Sequence, residues 1–350
     1  MDTVGVTEQV SVSSAEEDGN GNANREGSAL SAGGRYVAFS SEADNLVPDD
    51  TNDTSDVFVR DRLTGTTERV SVTSNGKEGD FASNGGSISA DGRYVAFASA
   101  ARFDGGDSGV DTDAFVHDRL TGETTLVSAA SDGTEASARS ATISGDGRYV
   151  GFVSDSEVLN GPSFFPDFQV FVHDRETGVT ERISEAPDGT PANRDASGVS
   201  MSGDGRFVYF GSSATNLVPV EGERDGVQDT FLYDRQTDTM TAITSTIDVD
   251  AFATNKATTG GISPNGRYVT FTAASDGFIT PDENGFHDDV WLVDTQADPF
   301  TYTLVSRNDA GEQANEESDA GPVSNDGRFV AFESRGTNLD GPAEFGDHVY

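Results

Sequence analysis

Short apolar or β-branched runs, broken by Gly, Asp, Asn and Ser, follow one another along the whole chain, and no stretch sustains a helical period. Such runs predict strands joined by tight turns. One phrase recurs six times: LSAGGRYVAF at 30–39, ISADGRYVAF at 88–97, ISGDGRYVGF at 143–152, MSGDGRFVYF at 201–210, ISPNGRYVTF at 262–271 and VSNDGRFVAF at 323–332. Its turn glycines, Gly34, Gly92, Gly147, Gly205, Gly266 and Gly327, are spaced by 58, 55, 58, 61 and 61 residues. A second phrase follows each of the first five, as in DVFVRDRLTGTTERVSV from Asp56 and DAFVHDRLTGETTLVSA from Asp113. Asp-Gly or Asn-Gly before the Arg, and Thr-Gly after the Asp-Arg pair, are hairpin signals because Gly accepts positive φ. Each repeat therefore predicts four strands.

Within these strands Val37 and Phe39 alternate with Tyr36 and Ala38, so both faces are apolar. A sheet of that kind needs a neighbour on each side, and radially stacked blades supply it. The expected fold is all-β: a single six-bladed β-propeller over residues 1–350, with four-stranded blades starting near 30, 88, 143, 201, 262 and 323. The sixth repeat stops at DHVY, Asp347–Tyr350, inside its third strand. The missing strand lies at the other terminus, where Thr3–Ser14 aligns with Leu63–Ser74. Strand 3–14 is thus expected to complete the last blade, which removes an exposed edge and places the termini side by side.

The pattern S-x-D-G-R-[YF]-V-x-F followed by [FW]-[VL]-x-D-R-x-T-G resembles the TolB-type, WD40-like propeller repeat over essentially the whole chain. The resemblance implies the fold. Members act as protein-binding modules, periplasmic or surface scaffolds, or gating domains of peptidases; no hydrolase domain is expected within these 350 residues, so the resemblance does not imply the peptidase role.

Charge narrows the partners. Asp plus Glu number 61 against 22 Lys plus Arg, for a net charge of −39, and Lys77 and Lys256 are the only lysines. That balance repels nucleic acid and anionic membranes and favours cations, basic partners and high salt. It fits either a salt-adapted microbe or an acidic secreted protein. Without Cys there is no disulfide framework and no thiolate metal site. The opening MDTVGVTEQV carries no signal-peptide pattern, and no apolar run reaches the length of a membrane span. The expectation is a monomer without membrane insertion, extracellular or periplasmic if the sequence is a trimmed mature domain and cytoplasmic if it is a full gene product.

Candidate chemistry is sparse. Asp50, Asn52 and Asp56 in blade one, and Asp282, Asn284 and Asp289 in blade five, place hard oxygens at near-alternating loop positions, as Ca²⁺ requires. The same residues also suit Asx-turns on a solvated surface. The repeated Asp-Arg pairs (Asp61-Arg62, Asp118-Arg119, Asp174-Arg175, Asp234-Arg235) and the turn arginines read as structural, with Asp capping the hairpin. His117 and His173 share the position of Arg60 and Tyr233 and read as variable surface residues. Phe164, Phe165 and Phe168 form an apolar loop that could meet a partner, and Trp291 is the lone Trp. The sequence thus points to a non-catalytic binding or scaffold module for a protein or small ligand, at a rim or the central channel. The alternatives are a carboxylate-dependent glycan hydrolase or lyase and a structural cell-surface propeller.

Overall fold

The computed structural model describes residues 8–23, 28–103, 111–161, 167–218, 227–244, 257–274, 284–285, 287–339 and 348–350. Six antiparallel sheets follow the six repeats, five of four strands and the last of three, and together they make a six-bladed β-propeller. The chain divides into two compact units, Met1–Pro162 with Val172–Thr180, and Ser163–Phe171 with Glu181–Tyr350. Among the described residues the sole helix is one turn, Glu157–Asn160, capped by the Ser156 side chain.

Blade one shows how the repeat builds a sheet. Its strands are Ala29–Leu30, Tyr36–Ser41, Asp56–Asp61 and Thr66–Arg69. Phe39 of the second strand stands opposite Phe58 of the third and stacks on it, ring centroids 5.8 Å apart. The same pair recurs as Phe97–Phe115, Phe210–Phe231, Phe271–Trp291 and Phe332–Tyr350. Each such buried ring adds about 1.5–3 kcal/mol of transfer free energy. Trp291 is therefore a core residue of the third strand, 1% exposed.

Turns follow from the recurring polar residues. The first serine of each phrase accepts a hydrogen bond from the backbone N–H five residues on, as Ser89 does from Tyr94 at 2.9 Å. The turn Arg makes a two-pronged bond to the Asp that ends the third strand: Arg35 to Asp61, Arg93 to Asp118, Arg148 to Asp174, Arg206 to Asp234 and Arg267 to Asp294. Each Asp also accepts the N–H two residues later and so caps the second hairpin. The Asp is thus bound to the Arg of the preceding hairpin, while the adjacent Arg reaches elsewhere: Arg119 bonds Glu68 and lies over the Tyr36 ring of blade one.

Blades dock through a repeated contact. Gly92 has φ +76°, and an added Cβ would stand 2.1 Å from the Tyr36 ring of the preceding blade. Gly147 bears the same relation to Tyr94, Gly266 to Phe207 and Gly327 to Tyr268.

Among the described residues the sixth sheet holds three strands, ending with His348–Val349. Ser334 faces His348 as Ser41 faces Asp56, so His348 takes the register of that Asp. Much of the expected closing strand, residues 3–7, lies outside the described residues. Its continuation is described: Val12 bridges Asp18 ahead of blade one as Val72 bridges Glu78 ahead of blade two.

Candidate functional site

The acidic loop of blade one is folded onto a buried arginine. Asp50 comes from the loop after the second strand, Asp56 opens the third strand, and Glu78 lies in the loop leading to blade two. Carboxylate oxygens of these three lie within 4.8 Å of one another, a grouping that could hold a metal ion. Arg69, at the end of the fourth strand, puts Nη1 3.2 Å from Asp50, 3.3 Å from Asp56 and 2.8 Å from Glu78. Its Nη2 donates to the Asp49 carbonyl at 3.1 Å. The Arg69, Asp50 and Asp56 side chains are 8%, 4% and 0% exposed, and Glu78 is 18% exposed.

The other polar side chains bonded to these acids act as donors. Ser71 donates to Asp56, and Thr51 donates to Glu78 through both its N–H and its hydroxyl. Asn52 gives its amide N–H to Asp56 at 2.9 Å and to the Gly79 carbonyl at 3.0 Å, while its oxygen accepts the Thr54 N–H at 3.0 Å. Asn52 therefore forms an Asx-turn and turns donors, not an oxygen, toward Asp56. A calcium ion among these oxygens would have to displace the guanidinium.

The charges do not balance: three carboxylates surround one guanidinium. Burial pushes Asp50 up to about 6, with Arg69 opposing and Asp56, Glu78 and Asp44 adding to the shift. Burial also raises Asp56, against its bonds from Ser71, Arg69 and Asn52. Burial works upward on Glu78 too, but the Thr51 bonds and Arg69 together outweigh it and hold the carboxyl below its ordinary range.

Blade five differs. Asp289, fully buried, accepts from Ser306 at 2.8 Å, Gln313 at 2.6 Å and Asn284 at 3.3 Å. Asn284 also donates to the Ala314 carbonyl at 2.8 Å. Asp282 lies outside the described residues, as do Phe164 and Phe165. Phe168 is half-buried; its N–H donates to Asp195 and its carbonyl accepts from Ala196, so its backbone is a blade-to-blade connector.

The two histidines depart from the surface expectation. His117 is buried and His173 half-buried, and each places Nδ1 2.9 Å from a threonine hydroxyl, Thr124 or Thr180. Burial lowers both pKa values. They are interior because the loop of the preceding blade lies over that slot: Ser74 bonds Thr124, and Ser131 bonds Thr180.

Sequence reasoning found the loop acids but missed Arg69 and Glu78. The signal was in the repeat alignment. Arg69 stands where Leu126, Arg182, Ala242 and Leu304 stand, and Glu78 where Glu135, Pro191 and Gln313 stand. Of these, blade one alone combines the arginine and the acid. Arg182 instead sits over Phe171 and approaches Glu185 at 3.6 Å.

No family sequence model and no curated protein sequence matches the chain. Solved structures do. A TolB protein from Agrobacterium tumefaciens aligns at 17% identity and a TM-score of 0.50, covering 93% of this chain and 88% of that one. An oligogalacturonate lyase in complex with manganese aligns at 11% identity and 0.52, covering 95% and 77%. The tricorn protease aligns at 13% and 0.50 over 92% of this chain but only 29% of its own. The likeness is one of fold: a TolB protein, a lyase and a protease share the propeller. No helix among the described residues is long and apolar enough to cross a membrane.

Proposed function

We propose that this TolB-type β-propeller is a non-catalytic binding or scaffold module for a protein or small ligand, with cationic or basic chemistry favoured by a net charge of −39. The observation that carries the reading is the use made of the reactive groups. The recurring Arg and Asp residues are spent on five hairpin ion pairs, and His117 and His173 on threonine bonds inside their blades. The one non-repeating carboxylate cluster found among the described residues is folded around Arg69, with Asp56 buried and Asp50 and Glu78 partly buried. A stabilising calcium ion belongs to this reading only in competition with that guanidinium.

The rival reading, a carboxylate-dependent glycan hydrolase or lyase, draws on one observation: Asp50, raised to about 6, stands beside Glu78, which is lowered. Against it, the Asp50 and Glu78 side chains are 4% and 18% exposed and both already face the Arg69 guanidinium, at 3.2 and 2.8 Å. Oligogalacturonide incubated with the protein and manganese, followed by the ultraviolet absorbance of unsaturated product, separates the two. The module reading expects no product above background. Product formation that disappears in Asp50→Asn would overturn it.

A further inference from the structure

The segment ahead of blade one, residues 11–19, is placed like an interblade loop. Thr67 donates its hydroxyl to the Val12 carbonyl at 2.6 Å and its N–H to the Ser14 hydroxyl at 2.9 Å, and Ser14 donates back to the Thr67 carbonyl at 3.3 Å. The same three bonds join Thr124 to Val72 and Ser74, and Thr180 to Ala129 and Ser131.

Blade one adds an ion pair. In the slot of His117 and His173 it has Arg60, 3% exposed, whose Nη1 donates to the Ser13 carbonyl at 3.1 Å, to Gly65 at 2.9 Å and to Thr67 at 3.2 Å. Nη2 pairs with Glu16 at 2.5 Å. Glu16 occupies the turn position held by Gly76, Gly133, Gly189 and Gly311 in the other loops, and it takes their left-handed backbone, with φ 63°. A glutamate there is disfavoured by roughly 1 kcal/mol or more relative to glycine. A residue that strains its own turn while its carboxylate reaches a buried arginine is placed for that contact, not for the turn.

We propose that residues 11–19 form a detachable strap on blade one, and that Arg60 with Glu16 is the lock that holds it. On the fourth-strand side its bonds centre on Thr67 and Arg60, while Asn45 Nδ2 ties the Asp18 carbonyl to the loop after the second strand at 2.8 Å, so loss of the lock frees the Ser13–Glu16 turn first. Opening bares the Thr67 edge and the Arg60 guanidinium.

Hydrogen exchange read by mass spectrometry on the full chain tests this with Glu16→Gly. That change restores the residue the other loops use and relieves the turn, so a segment held by its turn alone would exchange more slowly or unchanged. The lock predicts the opposite: about tenfold faster exchange at the amides of Ser13, Glu16, Gly19 and Thr67, with Tyr36–Ser41 unaffected. Arg60→Met should give the same local pattern. Slower or unchanged exchange in Glu16→Gly would overturn the proposal. So would a rise in both variants that spreads equally over Tyr36–Ser41, because the segment would then open only with its blade.

Discussion

Arg69 shows what a buried arginine does to a cluster of acids. One guanidinium cannot neutralise three carboxylates, so burial makes the fully ionised state costly and Asp50 bears the cost. The sign follows from linkage. Its folded value of about 6 lies above the ordinary 3.8, so the folded state holds a proton that the unfolded chain has released. This contribution to stability is complete below about pH 4, is lost as pH rises through 6, and stays lost above. Asp50→Asn should therefore be more stable than the parent at pH 8 in urea unfolding, the gain shrinking towards pH 4. A loss of stability at pH 8 would mean that Asp50 acts as an ordinary stabilising ion pair. From sequence the acids were visible because they are neighbours. Their partner was not, since Arg69 and Glu78 meet them only through strand pairing and the next loop, and period-two patterns carry no record of such cross-loop contacts.

At the scale of elements, the hairpin is the unit, and its glycines serve two different needs. Gly76 has φ +80° with nothing within 4 Å of an added Cβ, so it answers only to backbone conformation. Gly92 has φ +76° and also receives the Tyr36 ring of the preceding blade. Gly76→Ala should cost about 1 kcal/mol, whereas Gly92→Ala should cost about 2–4 kcal/mol, adding overpacking against an aromatic ring to the strained φ. Equal losses in denaturant titrations would show that the ring yields freely. The strands and turns were legible because each signal is local: a Gly at positive φ, an alternating apolar run, a serine five residues before the N–H it accepts. The destination of Arg35 was not, because its partner Asp61 is 26 residues away in the next hairpin, where the eye groups it with its neighbour Arg62. The interior position of His117 was hidden for the same reason, since a loop from another repeat covers it.

For the whole molecule, fold and charge pull apart. Repetition of one blade sets the architecture, while a net charge of −39 opposes any compact state through self-repulsion. Added KCl screens that repulsion over about 10 Å at 0.1 M. The melting temperature should accordingly rise with salt, and a maximum in dilute buffer would show that the local Arg–Asp pairs, which salt weakens, outweigh the global term. The aromatic-on-glycine contact has one more consequence, for ancestry. A single repeat carries both the plug and the socket: Tyr94 enters the notch at Gly147, while Gly92 of the same repeat receives Tyr36. A tandem gene duplication would thus deliver a new blade already fitted to both neighbours, and such a lineage can change its number of repeats without first evolving an interface.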